Sequence, residues 1–273
     1  KHGSPNYMII LTFDIEDWFH THQNRKYYSG HIWNNLPSRV ERNTQNILNV
    51  LDKHNRKATF FILGWVAEKD PDLVKQIYNK GHEIGAHSAW HHNASLLYPE
   101  DFEKDLIRNL DALQNITGEK VIAYRAPGYS IKRKNALLFD ILSKNGITID
   151  SSVQLYNPKD KAPFKIVTKH SEIAEFPLIK TLFGFPYGGG GYFRALPEKL
   201  LYRYFDKNEY NLLYMHPRDI DVDNPESNIF SSFRNMFNRY NTSNTIKKLE
   251  ILIQNHSTLS IGESVVHYSN KFI

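Results

Sequence analysis

The segment Tyr7 to Asp14 (YMIILTFD) is the first hydrophobic stretch of the chain, and it ends on a carboxylate. A short, continuous apolar run of this kind is typical of a buried β-strand. Similar runs occur at Lys57 to Leu63, Glu83 to Ala86 and Val121 to Arg125, and predicted helices separate them. Strands that alternate with helices indicate an α/β fold with parallel strands.

The alternation continues to the end of the chain. Further strands are predicted at Ile147 to Asp150, Ala174 to Phe176, Asn211 to His216 and Thr258 to Ile261. The first helix is predicted from about Ser38, which has the spacing of a capping box with Glu41. Later helices are predicted over Pro71 to Lys80, Pro99 to Thr117, Arg133 to Lys144, Pro197 to Asp206 and Asn241 to Gln254. At least six strands separated by helices favour a parallel barrel, so we expect a single domain over residues 1–273.

Composition excludes several classes of protein. The 273 residues include 41% hydrophobic residues, which rules out a long disordered chain. The absence of cysteine excludes disulfides, thiolate zinc sites and cysteine nucleophiles, so any metal must be held by His, Asp or Glu. The net charge of +5 is modest and the basic residues are scattered, so no nucleic-acid partner is expected. The apolar runs are far shorter than the roughly 20 residues of a transmembrane segment.

The start of the chain gives little guidance on location. Lys1 to Pro5 lacks an initiator Met and is interpreted as a tag remnant or a processed end. We therefore leave the compartment open, with the cytoplasm preferred over the periplasm or secretion. The sequence does not indicate an oligomeric state.

Polar residues lie at equivalent positions on five of the predicted strands. Asp14, His87, Arg125, Asp150 and His216 each lie at or just after the carboxyl end of a different strand. In parallel barrels the loops at this end converge on one active site. The five residues together therefore predict a catalytic site.

Two histidines have a spacing that suits a metal ion. His87 and His91 are four residues apart, so their side chains share one face if the segment is helical, and both can then reach one divalent ion. A histidine-rich surface loop is the alternative. The neighbouring His20 and His22 are interpreted as surface residues rather than ligands.

A third, anionic ligand is available in the segment Asp14 to Asp17. Three carboxylates within four residues repel one another unless a cation or an arginine lies among them. A solvated acidic turn is the alternative, although the flanking apolar residues Phe13, Ile15, Trp18 and Phe19 favour inward packing.

Five short motifs resemble, in order, those of the polysaccharide deacetylase family, also called the NodB-homology or carbohydrate esterase 4 group. They are Thr12 to Asp14, His87 to His91, Arg125 to Pro127, Asp150 to Ser152 and Leu213 to His216. Two further segments, Glu175 to Pro177 and Gly189 to Arg194, are similar to the branch whose first motif reads Asp-x-Glu-Asp.

This resemblance implies a fold and a chemistry. The fold would be a distorted (β/α)7-type barrel related to the TIM barrel. The activity would be hydrolysis of an N-acetyl group on an amino sugar of a surface polysaccharide, an O-antigen precursor or a peptidoglycan-like glycan. The cofactor would be zinc, or else cobalt, iron or nickel. Asp14 would match the general base, His216 the general acid and Arg125 the residue that orients Asp14.

The resemblance also implies a substrate surface. Backbone N–H groups just after Pro127 would hold the oxyanion, with Gly128 and Tyr129 beside the substrate. Apart from the resemblance, the run Gly188 to Gly191 is interpreted as a flexible loop that borders the substrate groove, with Tyr192 offering a flat apolar face. Asp150 would orient a catalytic histidine.

The first motif departs from the common family pattern. Ile15 stands where a second aspartate usually binds the metal, so the carboxylate ligand must be Glu16 or Asp17. Continued strand alternation favours Glu16, whereas an immediate turn favours Asp17. Two other functions stay open, namely a non-catalytic carbohydrate-binding protein on the same barrel and an O-acetyl esterase.

Overall fold

The computed structural model describes residues 7–20, 30–156, 162–180, 186, 188–225 and 232–272. Residues 1–5, interpreted above as a processed end, and His22 lie outside these ranges. The strands in the described ranges are β1 Ile9–Ile15, β2 Thr59–Ile62, β3 Glu83–Ala86, β4 Ala123–Tyr124, β5 Ile149–Asp150, β6 Gln154–Leu155, β7 Phe164–Val167, β8 Glu172–Glu175, β9 Leu178–Ile179, β10 Leu212–Met215 and β11 Thr258–Leu259.

The strands form one curled sheet and a small second sheet. The order in the large sheet is β10-β1-β2-β3-β4-β5-β8-β7, and β11 also pairs with β1. Its neighbours are parallel except for the antiparallel pair β7 and β8. Strands β6 and β9 pair separately. This architecture confirms the expected distorted (β/α)7-type barrel.

Helices cover the outside of the sheet. They are α1 Gly30–Trp33, α2 Val40–Lys53, α3 Gly64–Lys69, α4 Pro71–Asn79, α5 Pro99–Thr117, α6 Ala136–Lys144, α7 Gly190–Ala195, α8 Glu198–Phe205, α9 Ser232–Arg239, α10 Thr245–Asn255 and α11 Ile261–His267. None of the helices in the described ranges is long and apolar enough to cross a membrane.

Helices with proline in their first turn follow the sequence prediction closely. Helices α4 and α5 begin at Pro71 and Pro99, where the missing N–H of proline costs no intrahelical bond. Helix α5 ends at Thr117 because Gly118 adopts a left-handed φ of 75°. By contrast, α6 begins three residues later than predicted, at Ala136.

The predicted capping box at the start of α2 is wrong. The Ser38 hydroxyl donates to Asp17 Oδ2 at 2.7 Å instead of accepting from the helix. The same carboxylate oxygen accepts the backbone N–H groups of Arg39 at 2.9 Å and Val40 at 3.2 Å. An acid from the loop after β1 therefore caps a helix more than 20 residues away in sequence.

Strand β1 divides the interior into two layers. Ile9, Leu11 and Phe13 belong to the core between sheet and helices. Ile10, on the opposite face, belongs to a second cluster that includes Phe61. Alternation along the strand places Thr12 and Asp14 on the face of Ile10. The barrel interior is therefore apolar around Ile10 and polar at the carboxyl edge of the sheet, where Asp14 lies.

Candidate active site

Glu16, His87 and His91 come together at the carboxyl edge of β1 and β3. One ligand atom from each residue lies within 4.8 Å of the other two, and all three side chains are buried. Glu16 Oε2 lies 3.8 Å from His87 Nε2 and contacts His91 Nε2. Apart from these two imidazole nitrogens, this buried oxygen has no hydrogen-bond partner among the described residues, although a carboxylate oxygen needs a donor or a cation. The three donors therefore fit a divalent ion.

The protonation states also suit metal binding. His87 Nδ1 lies 2.7 Å from the Arg125 carbonyl oxygen, which can only accept, so Nδ1 carries the proton and Nε2 keeps its lone pair. Burial lowers the pKa of His91, which keeps that imidazole neutral near pH 7. Burial alone would raise the pKa of Glu16, but its interactions with the His91 imidazole and the Arg218 guanidinium outweigh burial, and the net pKa lies well below the usual range.

The segment that carries the two histidines is not helical, so the condition under which their spacing would place them on one face is not met. Ser88 and His91 have positive φ values of 66° and 58°, so the chain makes a compact turn after β3. The two imidazoles meet because of this turn and not because of helical spacing.

Two buried polar residues of α5 hold this turn in place. Asn109 Oδ1 accepts the His87 N–H at 2.7 Å, and Asn109 Nδ2 donates to Ile62 O at 3.1 Å. Asp105 accepts the N–H groups of Ala89 at 2.9 Å and Trp90 at 3.2 Å. These polar side chains lie on the buried, otherwise apolar face of α5. Their role was not predicted from the sequence.

Asp17 does not join Glu16, His87 and His91, and its position does not fit the alternative in which it holds the metal. Its Oδ2 accepts from the start of α2, as described above, and its Oδ1 accepts the Trp18 N–H at 2.8 Å. The neighbouring Glu16 keeps the strand alternation and faces the site. Side-chain direction thus separates the two candidates that the sequence left open.

Asp14 pairs with a fully buried arginine. Arg125 Nη1 donates to Asp14 Oδ1 at 2.7 Å and to Thr12 Oγ1 at 2.9 Å, and Nη2 donates to Ser151 Oγ at 3.0 Å. Its guanidinium carbon also lies 4.1 Å from the centre of the Phe61 ring. Burial disfavours the charged guanidinium, but Asp14 outweighs this effect and the net pKa of Arg125 is raised. The arginine therefore stays charged and fixes the orientation of Asp14.

His216 lies beside Asp14 and Glu16. Its Nε2 is 3.9 Å from Asp14 Oδ2 and 3.5 Å from Glu16 Oε1. Its Nδ1 lies 3.0 Å from Asp219 Oδ2, which also accepts the His216 N–H at 2.8 Å. An ionised carboxylate only accepts, so Nδ1 carries a proton and Nε2 faces the site.

Asp150 does not orient this histidine, which corrects the sequence prediction. Asp150 accepts the Ser152 hydroxyl at 2.7 Å and the Ser152 N–H at 3.0 Å, and it is paired with Glu175. Burial, followed by the Asp150 charge, raises the pKa of Glu175 well above its usual range, so Glu175 is the protonated member of the pair. The Ser152 hydroxyl in turn accepts the Ala126 N–H at 2.8 Å, which supports the loop after β4.

Two further residues beside the site differ from the sequence-based prediction: Arg218 was not among the predicted site residues, and His20 was predicted to lie on the surface. Arg218 is half-buried, and its Nη1 forms an ion pair with Glu16 Oε1 at 2.6 Å. His20 is fully buried, not a surface residue, and its Nδ1 accepts the Asp17 N–H at 2.8 Å. Neither residue has a local sequence signal, because each finds its surroundings through tertiary packing.

The predicted substrate residues of the β4 loop have different exposures. Gly128 is exposed, whereas Pro127 and Tyr129 are buried. The Tyr129 ring packs edge-on against Tyr214, with centroids 5.0 Å apart, so it is not an open face for a sugar. The Tyr129 N–H donates to Ala126 O at 3.0 Å. Of the two backbone N–H groups just after Pro127, we therefore retain that of Gly128 as the candidate donor to the oxyanion.

Tyr192 lies on a helix and not on a flexible loop as predicted. It belongs to α7, and its half-buried ring packs against Phe237 with centroids 6.4 Å apart. Phe193, the other aromatic residue of this segment, is fully buried. A substrate contact by Tyr192 stays a prediction.

The curled sheet and the acidic, basic and imidazole groups gathered at its carboxyl edge define a distorted (β/α) barrel with one polar site. The chain belongs to the polysaccharide deacetylase family, because the family model described as polysaccharide deacetylase matches residues 1–149. A second family model, described as a domain of unknown function (DUF3473), matches residues 150–265. The boundary between the two falls inside β5, so the sheet continues from one matched region into the other.

Curated relatives match parts of the chain. A peptidoglycan-N-acetylglucosamine deacetylase of Bacillus cereus is 33% identical over 130 residues, which are 45% of this chain and 48% of that protein. The peptidoglycan-N-acetylglucosamine deacetylase PgdA of Listeria monocytogenes is 30% identical over 93 residues, 34% of this chain and 20% of that protein. The chain thus spans less than half the length of these relatives.

Solved structures share the fold at low identity. A Mycobacterium smegmatis protein, solved as a candidate polysaccharide deacetylase, has a TM-score of 0.69 and 16% identity, with 100% of this chain and 94% of that chain covered. The Bacillus subtilis peptidoglycan deacetylase PdaC has a TM-score of 0.54 and 18% identity, covering 97% and 94%. The Bacillus anthracis pseudoenzyme BA3943 has a TM-score of 0.54 and 16% identity, covering 95% and 66%. The fold by itself therefore does not separate enzymes from pseudoenzymes.

Proposed function

We propose that the protein is a metal-dependent hydrolase that removes the acetyl group from an N-acetylated amino sugar of a polysaccharide, glycan precursor or peptidoglycan-like polymer. The observation that carries this proposal is the meeting of Glu16, His87 and His91 with the Asp14 carboxylate and the His216 imidazole at one edge of the sheet. Membership of the family and the named activities of the relatives support it.

Glu16 Oε2, His87 Nε2 and His91 Nε2 would hold the ion. Two imidazoles and one carboxylate suit zinc, and cobalt, iron or nickel accept the same donors. When bound, the ion supplies a Lewis acid that polarises the acetyl carbonyl and acidifies water.

The remaining groups act as base, acid and anion donor. Asp14, held by Arg125, accepts a proton from the attacking water, whose oxygen adds to the acetyl carbon. The N–H of Gly128, an exposed residue, is the backbone donor for the negative oxygen that forms at this carbon. When the C–N bond breaks, His216 in its doubly protonated imidazolium form gives its Nε2 proton to the departing sugar nitrogen, and acetate and a free amine result.

Acetate release from a panel of N-acetylated and O-acetylated glycans tests this proposal. We expect turnover by the purified protein, and Asp14→Asn should lose turnover while it retains the metal, because the substitution removes the base and leaves the three ligands intact. Turnover by Asp14→Asn at the wild-type rate would contradict the assignment of the base. Turnover of O-acetylated members alone would favour an esterase.

A pseudoenzyme is the second candidate, because BA3943 shares this fold. Such a protein would bind glycan without acetate release. The retained base, acid and ligand set favours the enzyme, since binding alone does not require a paired base and acid.

A further inference from the structure

The groups that hold the proposed proton donor lie in the region matched by the family of unknown function. His216, Asp219 and the α7 residues Gly190 and Arg194 all fall within residues 150–265. The ligands Glu16, His87 and His91 and the base Asp14 fall within residues 1–149. The two matched regions therefore contribute different parts of one site.

Arg194 lies directly behind Asp219. Its Nε donates to Asp219 Oδ1 at 3.1 Å, and both side chains are buried. Its Nη1 donates to the carbonyl oxygens of Phe237 at 3.0 Å, Asn238 at 3.2 Å and Tyr240 at 2.7 Å, at the carboxyl end of α9. The guanidinium is thus anchored by backbone, and it can fix the Asp219 carboxylate in one orientation.

Gly190 determines how closely α7 approaches the same carboxylate. A Cβ atom at this position would overlap Asp219 Oδ2 and Cγ. Asp219 Oδ2 is the oxygen that faces His216 Nδ1, so any side chain at position 190 would displace the group that holds the imidazole. Glycine is therefore needed at position 190 because no side chain fits there, and not because the segment forms the flexible loop that the sequence predicts.

We propose that Arg194 and Gly190 are positioning residues for proton donation: they fix Asp219 so that it holds His216 Nδ1 and directs Nε2 into the site. The inference rests on the proposed function, in which His216 protonates the departing nitrogen. It assigns a role to the region of unknown function, namely the support of the general acid.

The leaving group of the substrate gives a specific test. An amide needs protonation of its nitrogen before the C–N bond breaks, whereas 4-nitrophenyl acetate releases a phenolate that needs no proton. We compare kcat/KM for the best N-acetylated glycan of the panel with kcat/KM for 4-nitrophenyl acetate in the wild type, Arg194→Gln and Gly190→Ala. Arg203→Gln, at an exposed position of α8, is the matched control.

We expect the amide-to-ester ratio to fall roughly tenfold to a hundredfold in both test variants, because a misplacement of about 1 Å can cost about 10²-fold in rate. The ratio of Arg203→Gln should equal that of the wild type. An equal loss on both substrates, or no loss on either, would overturn the inference.

A second measurement does not depend on turnover. Long-range ¹⁵N NMR of the neutral form of the His216 ring, assigned with His216→Gln, should show a single Nδ1–H tautomer in the wild type and a mixture in Arg194→Gln. An unchanged tautomer in Arg194→Gln would overturn the positioning role. A wild type that releases no acetate but shows this tautomer difference would contradict the proposed function and leave the positioning role supported.

Discussion

Glu16 and Asp17 are adjacent buried acids, and we expect their amide variants to fail in different ways. Glu16→Gln removes the anionic donor of the three-ligand group, so this variant should not retain a divalent ion. Asp17→Asn should retain it, because the Asp17 carboxylate points toward the start of α2.

The structure also gives a magnitude for Asp17→Asn. The side chain accepts two N–H groups at the helix start and the Ser38 hydroxyl, and the amide keeps one oxygen for these donors but loses the charge. Loss of a helix cap costs about 0.5–2 kcal/mol, so we expect the free energy of unfolding to fall by about 1–2 kcal/mol.

The assay combines elemental analysis with urea denaturation for both variants and the wild type. Circular dichroism verifies that Glu16→Gln is folded, since this change also weakens the ion pair with Arg218. Retention of the ion by Glu16→Gln together with its loss from Asp17→Asn would refute the assignment of the third ligand.

Two further variants test the support of the site and the pH dependence of stability. Asn109→Leu should weaken metal affinity roughly 10–100-fold in a chelator competition, because the His87 N–H loses its acceptor. Asn115→Leu, at an exposed position of the same helix, is the control. Equal metal affinities of the two variants would contradict the supporting role of Asn109. Burial and the charge of Lys57 lower the pKa of His82 from 6.5 to about 4 in the folded protein. Between these two pH values the unfolded chain binds a proton that the folded chain does not, so the free energy of unfolding falls as the pH drops from 6.5 to about 4. In His82→Phe, whose new ring can pack on Phe60, the free energy of unfolding from urea titrations should fall by about 1–2 kcal/mol less over this pH range than in the wild type. An unchanged pH profile would contradict the assignment of the pH dependence to His82.

The sequence predicted the positions of the reactive residues well because these positions follow local patterns. Asp14, His87, Arg125 and His216 lie at the carboxyl ends of β1, β3, β4 and β10, as expected. Apolar runs mark the strands, and the parallel arrangement then brings their carboxyl ends to one edge. The boundaries were less accurate for short strands such as β4, which has two residues where five were predicted.

The sequence did not predict contacts that depend on tertiary structure. The sequence predicts that Ser38 caps its own helix, but the distant Asp17 does so. The family resemblance implies that Asp150 orients a catalytic histidine, but the carboxylate beside His216 is that of Asp219, which is three residues away and reaches it within one turn. In each case a buried partner from another part of the fold, or a tight local turn, determined the hydrogen bond.

The glycine-rich segment shows the same limit. Four consecutive glycines at Gly188 to Gly191 suggest flexibility, since glycine carries no side chain. In the structure Gly190 and Gly191 begin α7, and Gly190 allows close packing against Asp219. The sequence cannot distinguish a glycine needed for motion from one needed for space.

In the proposed mechanism, acetate release depends on an ion held by Glu16, His87 and His91. The most direct test is acetate release from the glycan panel by the wild-type protein before chelation, after chelation, and after addition of zinc, cobalt, iron or nickel, with bound metal measured at each stage. We predict that chelation removes activity and that at least one of these ions restores it. Undiminished turnover after complete removal of metal, or no acetate release from any substrate by the metal-loaded protein, would contradict the claim.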